Sequence, residues 1–306
     1  MPAILSILTP KQVTDAALTS STVLENDYGA YDPAHTYGLG DRCIKNHRIY
    51  ESQIASNVGH DPADLNNQFG TTVYWTDMDP TNRWALFDGE ASTQTRATGS
   101  MTYVLHIGAF DTVYLGGMQA SDVSITVKDS PGGTVVFPYT GSMEGSAPAD
   151  YYEYFFAPFS YLKSRIITGI PPYANMELTI TISNGTTGTV LCGILAVGIL
   201  QKLGKTQQGA TAKPKNFGYV DIDKYGKATI VPGKKATDMS ASALIDSSEA
   251  RIVQGYLEDA VQTAAMVSCS DSADYSGLNT FGIVSGQVVY KQSGSHEISI
   301  EVQGLI

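Results

Sequence analysis

The stretch Val190-Leu191-Cys192-Gly193-Ile194-Leu195-Ala196-Val197-Gly198-Ile199-Leu200 decides how this chain reads. At eleven residues it is the longest apolar run, too short to span a bilayer as a helix. It is apolar on both faces, so it predicts a central strand of a β-sandwich. The segments before it fit that frame. Ser100–Gly108 alternates around Tyr103, Leu105 and Ile107. Val123, Ile125 and Val127 alternate, as do Leu178, Ile180 and Ile182, which is the pattern of half-buried strands. Val113–Leu115 is short and apolar, Pro131-Gly132-Gly133 turns into Thr134–Tyr139, and Tyr151–Phe159 is rich in aromatics. Asn184-Gly185 is a hairpin signal.

Beyond the run, residues 201–237 are polar and rich in Gly and Lys, and too long for a simple connection. They predict a long loop or hairpin, with Gly218–Asp221 and Ala228–Val231 as its strands. Such a segment reaches a neighbouring subunit or carries function. A helix follows at about 247–266, capped by Asp246 with Glu249 three residues on. Its stripe is Val253, Leu257, Ala260, Val261 and Ala264. Gly282–Tyr290 and His296–Val302 are the closing strands. The fold class expected is mainly β (α+β), with one helix packed across a sheet.

Before the sandwich lie two other segments. Residues 1–30 read as an irregular or partly helical N-terminal arm, with a short helix over Lys11–Leu18. Residues 31–90 form a small aromatic β module, dense in turn signals such as Asp32-Pro33, Asp61-Pro62 and Asp79-Pro80. Both tryptophans, Trp75 and Trp84, fall inside it. Flat rings stack on the C–H faces of sugars, and nearby polar groups bind the hydroxyls. The candidate glycan-binding residues are therefore Tyr37, Tyr50, Tyr74, Trp75, Trp84, Asp41, Asn57 and Asn82. The same rings could instead be the core that so small a module needs in order to fold.

Composition narrows the function. The formal charge of −11 argues against a nucleic-acid groove, which needs clustered Lys and Arg. Cys43, Cys192 and Cys269 are odd in number and lack Cys-x-x-Cys spacing, so they read as small buried residues, with no metal site or disulfide scaffold. The N-terminus lacks a basic start and meets Pro10 early, which predicts a soluble protein made in the cytoplasm with no membrane insertion. Gly198–Thr206 ends in Gly-Lys-Thr, but five residues separate its glycines where a phosphate loop has four. Asp221-x-Asp223-x-Tyr225-Gly226 has Pro232 where a calcium loop needs Glu, and predicts a tight turn. No Gly-x-Ser-x-Gly elbow is present. Asp77, Asp79 and Asp88 are the acids to test for glycoside hydrolysis. The expectation is no enzyme and no cofactor.

Tyr37-x-x-Gly40-Asp41-Arg42, Tyr50-Glu51-Ser52, Asn57, Pro62 and Trp75 resemble the chitin-binding-type modules of carbohydrate-binding families. Thr81-Asn82-Arg83-Trp84-Ala85-Leu86-Phe87-Asp88 is similar to a segment that follows this module in tail proteins of tailed bacteriophages. Cys192–Thr206 and the close Ser299–Ile306 resemble minor tail and baseplate proteins more loosely. The strand, long loop, helix, strand order resembles the tube-type sandwich of tail tube and distal tail proteins. This resemblance implies a virion structural protein of the tail tip or baseplate. Its 91–306 part would be an assembly domain, forming a homo-oligomeric ring of three- or six-fold symmetry. In that family the long loop reaches the neighbouring subunit. Partners would be other tail proteins, with host surface glycan as a further contact. The alternatives are a glycan-binding tail fibre-type protein and, third, a glycan hydrolase.

Overall fold

The computed structural model describes residues 3–145, 150–156, 161–261, 263–270, 277–291 and 294–305. The chain is mainly β with a few helices. It opens with β1 (Ile4–Leu8) and β2 (Leu18–Ser21). The aromatic module follows: β3 (Arg42–Lys45), β4 (Arg48–Ser52), α1 (Leu65–Phe69) and β5 (Trp75–Pro80). After a 3-10 turn at Ala85–Phe87 come β6 (Thr95–Thr98), β7 (Ser100–Leu105), β8 (Thr112–Gly116), β9 (Asp122–Lys128) and β10 (Val135–Ser142). Next are α2 (Tyr151–Phe156), β11 (Ser164–Ile167), β12 (Glu177–Ser183), β13 (Thr189–Cys192) and β14 (Ile194–Gly198). The last third holds β15 (Leu200–Thr206), β16 (Thr211–Asn216), β17 (Tyr219–Ile222), β18 (Ala228–Val231) and β19 (Lys235–Asp246). It ends with α3 (Ala250–Ala260), β20 (Ala264–Ser268), β21 (Asn279–Val289) and β22 (Ser295–Gly304).

The alternating segments form the sandwich they predict. One sheet has the order β10-β9-β12-β7-β2, and the facing layer is β11-β8-β14 beside the pair β13-β6. Met101, Tyr103 and Leu105, then Val123, Ile125 and Val127, then Leu178, Ile180 and Ile182 point into one core. Of the aromatic segment Tyr151–Phe159, residues 151–156 are α2, and 157–159 lie outside the described residues. Asn184-Gly185 turns the chain, but β12 and β13 do not pair; they go to different sheets.

Val190–Leu200 is not one strand. It is the end of β13, all of β14 and the start of β15, in three different sheets. The breaks fall at glycines that let backbones meet. A Cβ on Gly193 would lie 2.7 Å from the Ala91 carbonyl oxygen, and one on Gly198 would lie 2.7 Å from that of Thr9. β14 is an edge strand yet is buried on both faces. Leu195 and Val197 face the sandwich core. Ile194 and Ala196 face the other way, into a seam with Leu8, Tyr114, Met266 and Phe281. The both-sided apolarity thus marks a middle layer.

The second unit is a seven-stranded sheet of order β15-β1-β20-β21-β22-β19-β16. Its first six strands close on themselves through Lys205–Leu244 and Thr206–Ala243, pairing β15 with β19. Leu5, Ile7, Val267, Ile298, Ile300 and Val302 fill the interior. Small residues there, Ala241, Ala243 and Ala265, leave room for α3, whose Val253, Leu257 and Ala260 join the same core. Asp246 does not cap this helix. It sits at the end of β19, paired with Ser295, and the helix starts after Glu249 with no side-chain cap. Of the expected stripe, Val261 is exposed and Ala264 begins β20, while Gln262 lies outside the described residues.

Of the expected arm 1–30, the described residues from 3 onward are built into the sheets. β1 sits between β15 and β20 with Leu5 and Ile7 fully buried, and Lys11–Leu18 holds a turn where a helix was expected. Its two partner strands lie about 200 and about 260 residues away, so no local pattern announces it. The three cysteines are buried, as their sparse spacing predicts. Among the described residues, no helix is long and apolar enough to cross a membrane.

Candidate functional site

Two surfaces compete for the functional role: the aromatic module and the segment 201–237.

The module is a three-stranded sheet, β3-β4-β5, around a core of Tyr37, Cys43, Tyr50 and Trp75. Asn46 and His47 make the two-residue turn between β3 and β4, both at positive φ. Trp75 is 0% exposed, and its indole N–H donates to the His60 carbonyl at 2.8 Å. Tyr37 packs edge-on against it at 5.0 Å, and its hydroxyl accepts from the Asp32 amide. Burial pushes the Tyr50 and Tyr37 hydroxyl pKa values up. These three rings offer no open face to a sugar, which corrects the expectation that they stack on glycan.

Trp84 lies elsewhere. It is 9% exposed, stacked on His47 at 4.2 Å and edge-on to Phe87, where the module meets the sandwich. His47 is held there by Asp15 (2.6 Å) and Glu25 (2.8 Å). Arg83 donates to the Val23 carbonyl, and Tyr103 donates to that of Arg83. The Thr81–Asp88 segment is therefore the bolt between module and sandwich.

The polar candidates also have structural partners. Asn57 is fully buried; its amide donates to Ser52 Oγ and the Tyr74 carbonyl, and its oxygen meets His60 Nδ1. Asn82 brackets Arg96, accepting from its amide and donating to its carbonyl. Exposed Asp41 accepts from the Gly38 amide at 2.6 Å. Of the eight candidates, only Tyr74 keeps a ring at the surface, half-buried and stacked on His60 at 3.5 Å. Sequence reasoning missed another surface ring, Tyr28 under Arg42, while Tyr31 under Lys45 packs on Tyr37 and Trp75 at the core. Each cation lies fourteen residues along the chain from its ring, so the pairing gives no local signal.

The acids are no closer to a catalytic pair. Asp77 is bound by Arg48 at 2.5 Å, and Asp79 is exposed on β5. Asp88 is turned away into a cleft of about 420 Å³ lined by Lys11, Phe87, Ile194 and Phe281. Burial pushes its carboxyl up to about 6, against the opposing hydrogen bonds from Thr93 and the Glu90 amide. Among the described residues no group of His, Cys, Asp and Glu could hold a metal ion.

No family model matches the chain, and no curated protein matches it. The chain is similar to one in a crystal structure of reduced XRCC1 bound to the catalytic domain of DNA polymerase β. The identity is 14%, over 46% of this chain and 86% of that one, with a TM-score of 0.20. A likeness at that score carries no argument.

The second surface is more unusual. Residues 201–237 are no loop. β15 and β16 pair with the two ends of β19 on the same side, with an irregular step between them at Gln207–Ala210. β17 and β18 continue the ribbon to a turn at Asp223–Lys227. Asp223 builds that turn: its carboxylate accepts from the Tyr225 and Lys227 amides, at 2.8 and 2.9 Å. The tight turn expected there is present, and so are the expected strands, within a residue. From Thr211 to Asp223 the arm is roughly 40 Å long at about 3.3 Å per residue.

Every residue from Tyr219 to Ile230 is exposed. Cross-strand pairing puts Val220 opposite Ile230 and Ile222 opposite Ala228. One side of the ribbon is thus wholly aliphatic, with Val220 57%, Ile222 64% and Ile230 72% exposed. A lone two-stranded ribbon with such a face is marginal in water. The arm's base is protected differently: the free edge of β16 carries Lys213, Pro214 and Lys215, which block strand addition.

Proposed function

We propose that this protein is a structural component of a bacteriophage tail tip or baseplate, in the distal tail, and that it assembles there as a ring through its arm. The observation that carries this is the aliphatic ribbon face at the tip. Apolar patches held away from a protein's own core mark contact sites for another molecule. The order of β15 to β22, strands, projecting ribbon, helix, strands, supports the likeness to tube-type sandwiches. The high net negative charge accords with partners that are proteins rather than nucleic acid. In a ring the contact is head-to-tail, with different surfaces meeting.

The alternative, a glycan-binding fibre-type protein, loses its main support because Tyr37, Tyr50 and Trp75 form the module core. Glycan contact would fall to Tyr74 and the ring of Tyr28. The hydrolase alternative loses its named acids, since Asp77 is tied to Arg48 and Asp88 lines a separate cleft. Gold-labelled antibody against this chain, applied to tailed particles from cells that produce it, tests the proposal. Label at the tail tip is the expected result. Particles that lack the chain would overturn it.

A further inference from the structure

Where the aromatic module meets the sandwich, one histidine ring lies between two carboxylates. His47 sits in the turn between β3 and β4, at positive φ. Asp15 precedes β2 and Glu25 follows it, and β2 is the edge strand of the five-stranded sheet. One ring nitrogen of His47 meets Glu25 Oε1 at 2.8 Å, and the other meets Asp15 Oδ1 at 2.6 Å. We propose that His47 is a proton-operated latch. Its imidazolium form clamps the module onto the sandwich, and loss of the proton releases the clamp. The latch involves neither the arm nor ring assembly.

Counting donors sets the direction. An ionised carboxylate only accepts, and a neutral imidazole has one N–H and one lone pair. Neutral His47 can therefore satisfy one acid while turning a lone pair toward the other. The imidazolium donates to both, and charge strengthens each bond. Glu25 carries most of the effect. Its side chain is 17% exposed, so water replaces a lost partner poorly, and the Thr81 hydroxyl holds the same Oε1 at 2.9 Å. Asp15, at 77% exposed, contributes less. Trp84 stacks on the ring from the other segment of the junction, and a cation is attracted to an indole face. The Thr81 amide donates to the His47 carbonyl at 2.8 Å, which ties the same turn to the Thr81–Asp88 bolt.

The other charges near the junction are engaged elsewhere or exposed. Lys45 pairs with Asp61, and Arg48 pairs with Asp77. Arg83 donates to the Val23 carbonyl, and Asp27 accepts from the Asn82 amide. Asp79 is exposed on β5, and Asp88 lines a separate cleft. Among the described residues, His47 is the cation paired with Asp15 and with Glu25. Protonation thus favours the docked module. That contribution is present at low pH and is lost as pH rises through the range in which imidazoles give up their proton.

Hydrogen exchange of the full chain at pH 5.5 and pH 8.0, each corrected for the intrinsic rate at that pH, tests the latch. Peptides covering residues 42–52 and 81–88 should exchange several-fold more slowly at pH 5.5. His47→Asn should abolish that difference, since asparagine tolerates positive φ and takes up no proton in this range. Glu25→Gln keeps the shape and an acceptor for Thr81 but removes the charge, and should shrink the difference. Equal protection of the wild type at the two pH values would overturn the inference. So would a pH dependence that survives in His47→Asn, which would assign it to another group such as Asp88. If His47→Asn fails to fold, Glu25→Gln decides: an undiminished difference in that variant overturns the latch.

Discussion

The aromatic module and the arm use apolar residues in opposite ways. The module has Tyr31, Tyr37, Tyr50, Tyr74 and Trp75, and turns most of them inward around Trp75. The arm tip has Val220, Ile222, Tyr225 and Ile230, and turns all of them outward. The module looks functional in a sequence because its residue types suit sugar. The arm looks like a polar connection because Gly and Lys dilute it. Burial reverses the two: rings with a core to form are occupied, and aliphatics with no core to join are available.

Removing Trp75 should break the module most severely. Trp75→Ala takes out a fully buried indole and its bond to the His60 carbonyl, for a cost of about 3–5 kcal/mol. Protease should then cut within residues 31–80, while thermal unfolding of the sandwich core changes little. A variant that keeps its module folded would show that the ring is not its core.

The boundary between module and sandwich gives a smaller, pH-dependent effect. Asp88 has its folded pKa raised to about 6, above the value of an unfolded aspartate. Protons therefore bind the folded form more tightly. That contribution is fully present below about pH 4 and is lost as pH rises through about 6. Asp88→Asn mimics the protonated group. It should match the wild type near pH 4 and exceed it by about 1 kcal/mol near pH 7.5, the figure being reduced for partial solvent screening. Denaturant midpoints at the two pH values measure this; equal differences at both would contradict it.

The smallest effect on stability belongs to the arm. Ile222→Asp and Ile230→Asp touch no core, so unfolding should shift by less than about 0.5 kcal/mol. If these changes unfold the chain, the ribbon face is packed within its own molecule.

Much of the sandwich was legible because alternation reports burial directly: Val123, Ile125, Val127 and Leu178, Ile180, Ile182 all point as their spacing says. The Asp223 turn and the Val253–Leu257–Ala260 stripe were legible for the same local reason. The illegible parts are non-local. β1 finds its partners at Leu200 and Met266, and no five-residue pattern encodes that. Val190–Leu200 hides two sheet changes because Gly193 and Gly198 break pairing without interrupting apolarity. In the module, residue type could not say which rings face inward; that depends on how Asn57 and His60 tie the loop over Trp75. For the arm, alternation in Tyr219–Ile222 predicts strands but not that no layer covers them.

Sedimentation velocity of the full chain against the Ile222→Asp/Ile230→Asp double variant tests the central claim most directly. The wild type should sediment as a discrete oligomer with its population rising with concentration, and the folded double variant as a monomer. Equal sedimentation of the two, whether both assembled or both monomeric, would contradict assembly through the arm.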